Sequence, residues 1–72
     1  MSSRELLMHT LATDVLDKPI DGITEETILD PWDSLCHIAT IAVIDELTGK
    51  VVNGSAVSEC KTVSDVLRLA AL

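Results

Sequence analysis

Ser34 is the residue of this chain whose type and position most invite chemistry. It lies in the stretch DPWDSLCHI, residues 30–38, behind an aspartate and the chain's one tryptophan. Pro31 disfavours helix before it, and an apolar helical pattern begins directly after it. On residue type alone, two readings of Asp33-Ser34 stay open. Both residues are preferred helix caps, and such a cap stabilises a helix by roughly 1 kcal/mol. A serine at a helix start is also small, exposed and within reach of a modifying enzyme. Unpaired N–H groups and the positive dipole end gather there, which suits a phosphate. That term is only about 0.3–1 kcal/mol at a wet surface, so it assists attachment without causing it.

Ser34, Cys36 and His37 together invite a nucleophile–base reading. Closeness in sequence does not align side chains on a helix, and no orienting third residue or oxyanion donor is evident. The chain is read as no enzyme. Cys36, His37, Cys60 and His9 lack the close pairing of structural zinc sites, so no metal is expected. His37 is placed at the boundary of the core and Cys36 at its surface edge.

The elements that must position Ser34 follow from periodicity. A first helix is predicted over Ser3–Leu16, capped by Ser2 or Ser3, with Leu7, Leu11 and Val15 in one stripe beside Met8 and Ala12. Pro19, Gly22 and Pro31 break the next stretch, Asp17–Asp33, into a long loop. Ile20, Ile23, Ile28 and Leu29 are expected to pin this loop over the core, and Thr24-Glu25-Glu26 to start a short helical turn. A second helix is predicted from Ser34 to Thr48, stopping at Gly49. Its apolar residues split into two groups. Ile41, Ile44 and Leu47 share one side, and Leu35, Ile38 and Ala42 another, with Asp45 and Glu46 below them. A helix apolar nearly all round is either buried or serves a second contact. Val51 and Val52 are expected to tuck inward before an Asn53-Gly54 turn and a short helix over Ser55–Cys60. Thr62 then caps a last helix with Asp65 reaching back, its inner face made by Val63, Val66, Leu67 and Ala70.

These elements amount to one all-α domain, 1–72: a small four-helix bundle of three main helices and one short one, with a long loop between the first two. A 72-residue chain buries only about 60% of its unfolded surface, so burial of the second helix all round is implausible and the second contact is preferred. The hydrophobic share of 47%, with no Phe or Tyr, implies an ordered, aliphatic core.

Five basic residues stand against twelve acidic ones, a net charge of −7. The basic residues are scattered, which argues against nucleic acid and for partners with basic patches. No apolar run nears the roughly 20 residues that span a membrane, and MSSRELLMHTL lacks a signal peptide's apolar centre. A cytoplasmic monomer with reduced cysteines is therefore expected.

Asp-Ser-Leu at the head of the second helix, after a long loop, with Asp45-Glu46 and Gly49 at its end, resembles the acyl carrier protein family. The resemblance covers nearly the whole chain: WDSLCHIATIAVIDELTG is similar to the family's DSL motif and recognition helix, and CKTVSDVLRLA to its threonine-capped last helix. It implies that Ser34 carries 4′-phosphopantetheine as a phosphodiester, and that the arm's thiol bears an acyl or aminoacyl group as a thioester. It implies that Asp33 assists metal binding while the arm is transferred. Leu35, Ile38 and Ala42 would dock partner enzymes, with Asp45 and Glu46 pairing basic residues at the rim. Those partners would be a phosphopantetheinyl transferase and acyl-activating, ketosynthase or acyltransferase enzymes of lipid or secondary-metabolite biosynthesis. Two alternatives stay open: Leu35 and Ile38 cover the long loop instead, or the chain is an unmodified helical interaction module of the same fold.

Three departures from the family stand out. Pro31-Trp32 replaces a frequent glycine, Cys36 and Ala39 occupy positions often acidic, and Thr48 stands where a large apolar residue is common. They point to a dedicated pathway carrier.

Overall fold

Residues 2–72 are described by a computed structural model, which places four α-helices and no β-strand among them. Helix α1 spans Ser3–Thr10, and Ser2 caps it by accepting the Glu5 N–H at 3.2 Å. Helical winding continues beyond it, as predicted, but as a π-helical turn over Leu11–Val15. Leu7, Leu11 and Ala12 are fully buried, while Met8 and Val15 are partly covered. Asp17 ends the run in the left-handed region at φ 52°, and the Lys18 N–H donates back to the Ala12 carbonyl at 2.7 Å. Such a left-handed residue satisfies carbonyls that a helix end would otherwise leave unpaired.

Between α1 and α2 the chain makes one 3₁₀ turn, Ile20–Gly22, and then runs against the start of the last helix. The Leu29 N–H donates to the Lys61 carbonyl at 2.9 Å, the Val63 N–H to Thr27 at 3.0 Å and the Ser64 N–H to Glu25 at 2.8 Å. Ile28 and Thr62 form an antiparallel bridge. Only two of the four aliphatics expected to pin this segment do so: Ile23 and Leu29 are buried, but Ile20 and Ile28 are 38% and 62% exposed. Neighbours in extended chain point to opposite faces, so an inward Leu29 sends Ile28 outward. Thr24 to Thr27 form a single hydrogen-bonded turn where a short helical turn was expected, with the Thr27 N–H donating to the Thr24 carbonyl at 3.2 Å. Arg4 ties this segment to the chain's end, pairing with Glu25 and donating to the Leu72 carbonyl.

Helix α2 has the predicted bounds, Ser34–Thr48. Gly49 closes it at φ 73°, its N–H donating to Asp45 at 2.7 Å; only a residue without Cβ takes that conformation at no steric cost. Its inner face differs from the predicted one. Cys36, Thr40 and Ile44 are buried, whereas Ile41 and Leu47 are only partly covered. Thr40 is fully buried because its hydroxyl donates to the Cys36 carbonyl at 2.8 Å, so the buried polar group is satisfied within the helix.

Helix α3 is shorter than predicted, Gly54–Ser58, and its cap is Asn53, which accepts the Ser55 N–H at 2.7 Å. Val52 is buried but Val51 is 79% exposed, again because adjacent residues of extended chain cannot both face inward. Helix α4, Val63–Leu69, carries the predicted reciprocal cap between Thr62 and Asp65. Val63, Val66, Leu67 and Ala70 are buried and join Leu7, Leu11, Ile44 and Val57 in one aliphatic core. Among the described residues no helix is long and apolar enough to cross a membrane.

Candidate functional site

The two roles open to Asp33-Ser34 separate at the start of α2. Asp33 has extended backbone and its Oδ1 accepts the Cys36 N–H at 3.0 Å, so Asp33 is the N-cap. Ser34 is the first helical residue and is exposed. Capping therefore does not engage its hydroxyl. The Cys36 N–H also holds the Asp33 carboxyl below its ordinary pKa, because a hydrogen bond to the charged form favours it. An ionised carboxylate thus stands beside an exposed hydroxyl at the positive end of a 15-residue helix.

The residues just before the cap are held from two sides. The Trp32 indole N–H donates to the Val57 carbonyl of α3 at 3.0 Å. Its ring meets His37 in a T-shaped contact, 5.1 Å between centroids. His37 is partly covered, as expected of a boundary residue, but its Nε2 is buried without a hydrogen-bond partner among the described residues. Cys36 is not the surface-edge residue expected. It is 8% exposed, with its thiol directed at the Pro31 and Val15 carbonyls at 3.5 and 3.8 Å. Burial pushes its thiol pKa up, which lowers the thiolate fraction and with it the nucleophilicity. Cys60 is buried and raised in the same way.

A groove of about 390 Å³ lies at the start of α2, walled by Asp14, Val15, Pro31, Asp33, Leu35, Cys36 and Ala39, with Ser34 outside its lining. The π-helical turn forms its far side, since Asp14 and Val15 belong to that turn. A larger hollow of about 450 Å³ between α3 and α4 is lined by Cys60, Asp65 and Arg68 among others. It includes no residue of α2, so size does not mark the site.

Leu35 and Ile38 are 77% and 64% exposed, and Ala42 is exposed with them. At about 100° per residue these three lie opposite Cys36, Thr40 and Ile44. Leu35 and Ile38 therefore do not cover the segment before α2. Asp45 and Glu46, also exposed, flank the apolar stripe at its far end. Helix α2 contains no lysine or arginine.

Sequence reasoning assembled Asp33, Ser34, Leu35, Ile38, Ala42, Asp45 and Glu46, and all seven are solvent-facing residues of α2 or its cap. It missed Trp32 as an anchor and the groove wall from the π-helical turn. The lone tryptophan next to the cap was the available signal, because a partly buried indole N–H needs an acceptor. Comparisons with known protein families, with curated proteins and with solved structures find no match to this chain.

Proposed function

We propose that this chain is an acyl carrier protein, a non-catalytic helical bundle that bears 4′-phosphopantetheine on Ser34. The observation that carries the reading is the Ser34 hydroxyl, exposed at the first position of α2 while Asp33 performs the cap. Together with the Asp-Ser-Leu resemblance, it supports a role for Ser34 beyond starting the helix. When attached, the group supplies a flexible arm ending in a thiol, which holds an acyl or aminoacyl unit as a thioester.

The residues fit that group. The small side chain of Ser34 leaves its oxygen open to the phosphorus of coenzyme A. Displacement there forms the Ser34 Oγ–P bond and breaks the P–O bond to adenosine bisphosphate, while the hydroxyl proton goes to a base of the transferase. The helix N-terminus stabilises the resulting phosphodiester. Asp33 opposes it electrostatically but, ionised and solvent-facing, is suited to hold the cation that accompanies a diphosphate. Leu35, Ile38 and Ala42 form the apolar contact for the transferase and for acyl-activating, ketosynthase or acyltransferase partners, with Asp45 and Glu46 meeting their basic residues. Such rim charges act mainly on encounter rate. The same exposed stripe also supports a second reading, an interaction module of this fold that is never modified.

A thiol count separates the two. The chain holds two cysteines. After incubation with coenzyme A and a phosphopantetheinyl transferase, titration of the denatured, repurified protein should show one thiol more than those two. An unchanged count, with a control carrier modified in the same mixture, leaves only the interaction module.

A further inference from the structure

We propose that Trp32 is a positioning residue for Ser34, a latch that fixes the attachment point to α3. The inference rests on the carrier reading for its consequence, though not for its geometry. Across residues 30–35 every residue but Trp32 is exposed: Asp30, Pro31, Asp33, Ser34 and Leu35 all face solvent. Upstream, the next firm hold is the Leu29 N–H on the Lys61 carbonyl; downstream, it is Cys36. Among the described residues, Trp32 thus carries the only side-chain hydrogen bond from this stretch to a distant element, since Asp33 bonds within the start of α2. Its acceptor is 25 residues away, on Val57, whose own side chain is fully buried. The latch therefore ends on a rigid point of the core. On the other side the ring leans on His37, one turn into α2. Indole N–H, Val57 carbonyl and His37 ring together set the angle at which the chain enters the helix, and with it the direction of the Ser34 hydroxyl.

A latch of this kind acts on chemistry through orientation, not through the docking face. A hydroxyl presented at the wrong angle lowers the rate of the bound complex, while Leu35 and Ile38 still offer the same contact. Trp32→Phe keeps an aromatic ring at this position while removing the N–H donor and one ring of the indole. The Val57 carbonyl still accepts the Cys60 N–H at 3.1 Å, so no buried acceptor is orphaned.

The test combines amide hydrogen exchange with transferase kinetics on the whole chain. In Trp32→Phe the Cys36 amide, which reports the Asp33 cap, should exchange about two- to tenfold faster, as expected for one lost hydrogen bond. The Gly49 amide, bonded to Asp45 at the other end of α2, should not change. The kcat for Ser34 modification should fall by a similar factor with KM for the chain retained. An unchanged Cys36 amide overturns the latch, as does equal acceleration at Cys36 and Gly49, which would make Trp32 ordinary core packing. A fall in kcat/KM carried by KM alone overturns it too, because docking would then be the cause. If wild-type chain is not modified at all, the carrier reading fails and the two amides still judge the latch. If Trp32→Phe does not fold, the wild-type indole N–H decides: slowed exchange supports the bond to Val57, and exchange as fast as free indole refutes it.

Discussion

Replacing Ile44 and Ile38 by alanine, one at a time, separates the two sides of α2. Ile44 is fully buried and Ile38 is 64% exposed. Truncating a buried isoleucine to alanine costs about 2–5 kcal/mol, from lost transfer energy and the cavity left behind. Full burial of such a side chain is worth about 1.5–3 kcal/mol. Ile38 has roughly a third of its surface covered, so its truncation forfeits about 0.5–1 kcal/mol on the same scale. Alanine's higher helix propensity returns a few tenths of that. A domain of this length is stable by roughly 4–11 kcal/mol in total, which makes the first loss severe and the second slight. Urea unfolding is the assay. With a slope near 1 kcal/mol/M for a small protein, Ile44→Ala should move the midpoint down by about 2–5 M and Ile38→Ala by less than about 1 M. Modification of Ser34 should nevertheless slow in Ile38→Ala, since an apolar anchor beside the attachment point is gone. Equal midpoint shifts in the two variants would refute the reasoning, for the exposed stripe would then be core.

Two further outcomes follow from single hydrogen-bonded groups. Asp65 accepts the N–H groups of Lys61 and Thr62 at 2.9 and 3.1 Å, which with Arg68 hold its carboxyl below its ordinary pKa. A depressed folded-state value contributes stability that is present above the unfolded pKa of about 3.9 and is lost as pH falls through the folded one. Asp65→Asn should therefore lose less stability than wild type between about pH 5 and pH 2 in denaturant melts; parallel pH profiles would contradict this. Thr40→Val removes a buried hydroxyl bonded only within its own helix, so stability should change by no more than about 1 kcal/mol in either direction. A loss beyond about 2 kcal/mol would mean the hydroxyl serves another buried partner.

The bounds of α2 were legible because each end is a local device: Pro31 and Asp33 at the start, Gly49 at the stop. The cap of α4 was legible for the same reason, since Thr62 and Asp65 stand three residues apart. What was hidden depends on contacts between distant segments. The hydrogen bonds between Thr27 and Val63 and between Leu29 and Lys61 use backbone groups, which carry no side-chain signature. They decide that Leu29 faces in and Ile28 out, a choice that counting aliphatics cannot make. The inner face of α2 was legible only in part: Ile44 is buried and Ile41 and Leu47 pack against the core, but the predicted stripe omits Cys36 and Thr40, although each finds a backbone acceptor. The π-helical turn after α1 moves the next buried position from Val15 to Leu16, a slip that a regular helical period does not show. The exposed residues of the site were found more easily, since they follow from the cap and from which positions the core leaves over.

The central claim is that Ser34 is an attachment point, and the intact mass of the chain tests it most directly. Wild-type protein and Ser34→Ala are each co-expressed with a phosphopantetheinyl transferase and weighed. The account predicts a single phosphopantetheine adduct on wild type, fragmenting to Ser34, and none on Ser34→Ala. A wild-type chain of unmodified mass, or an adduct that persists in Ser34→Ala, would contradict it.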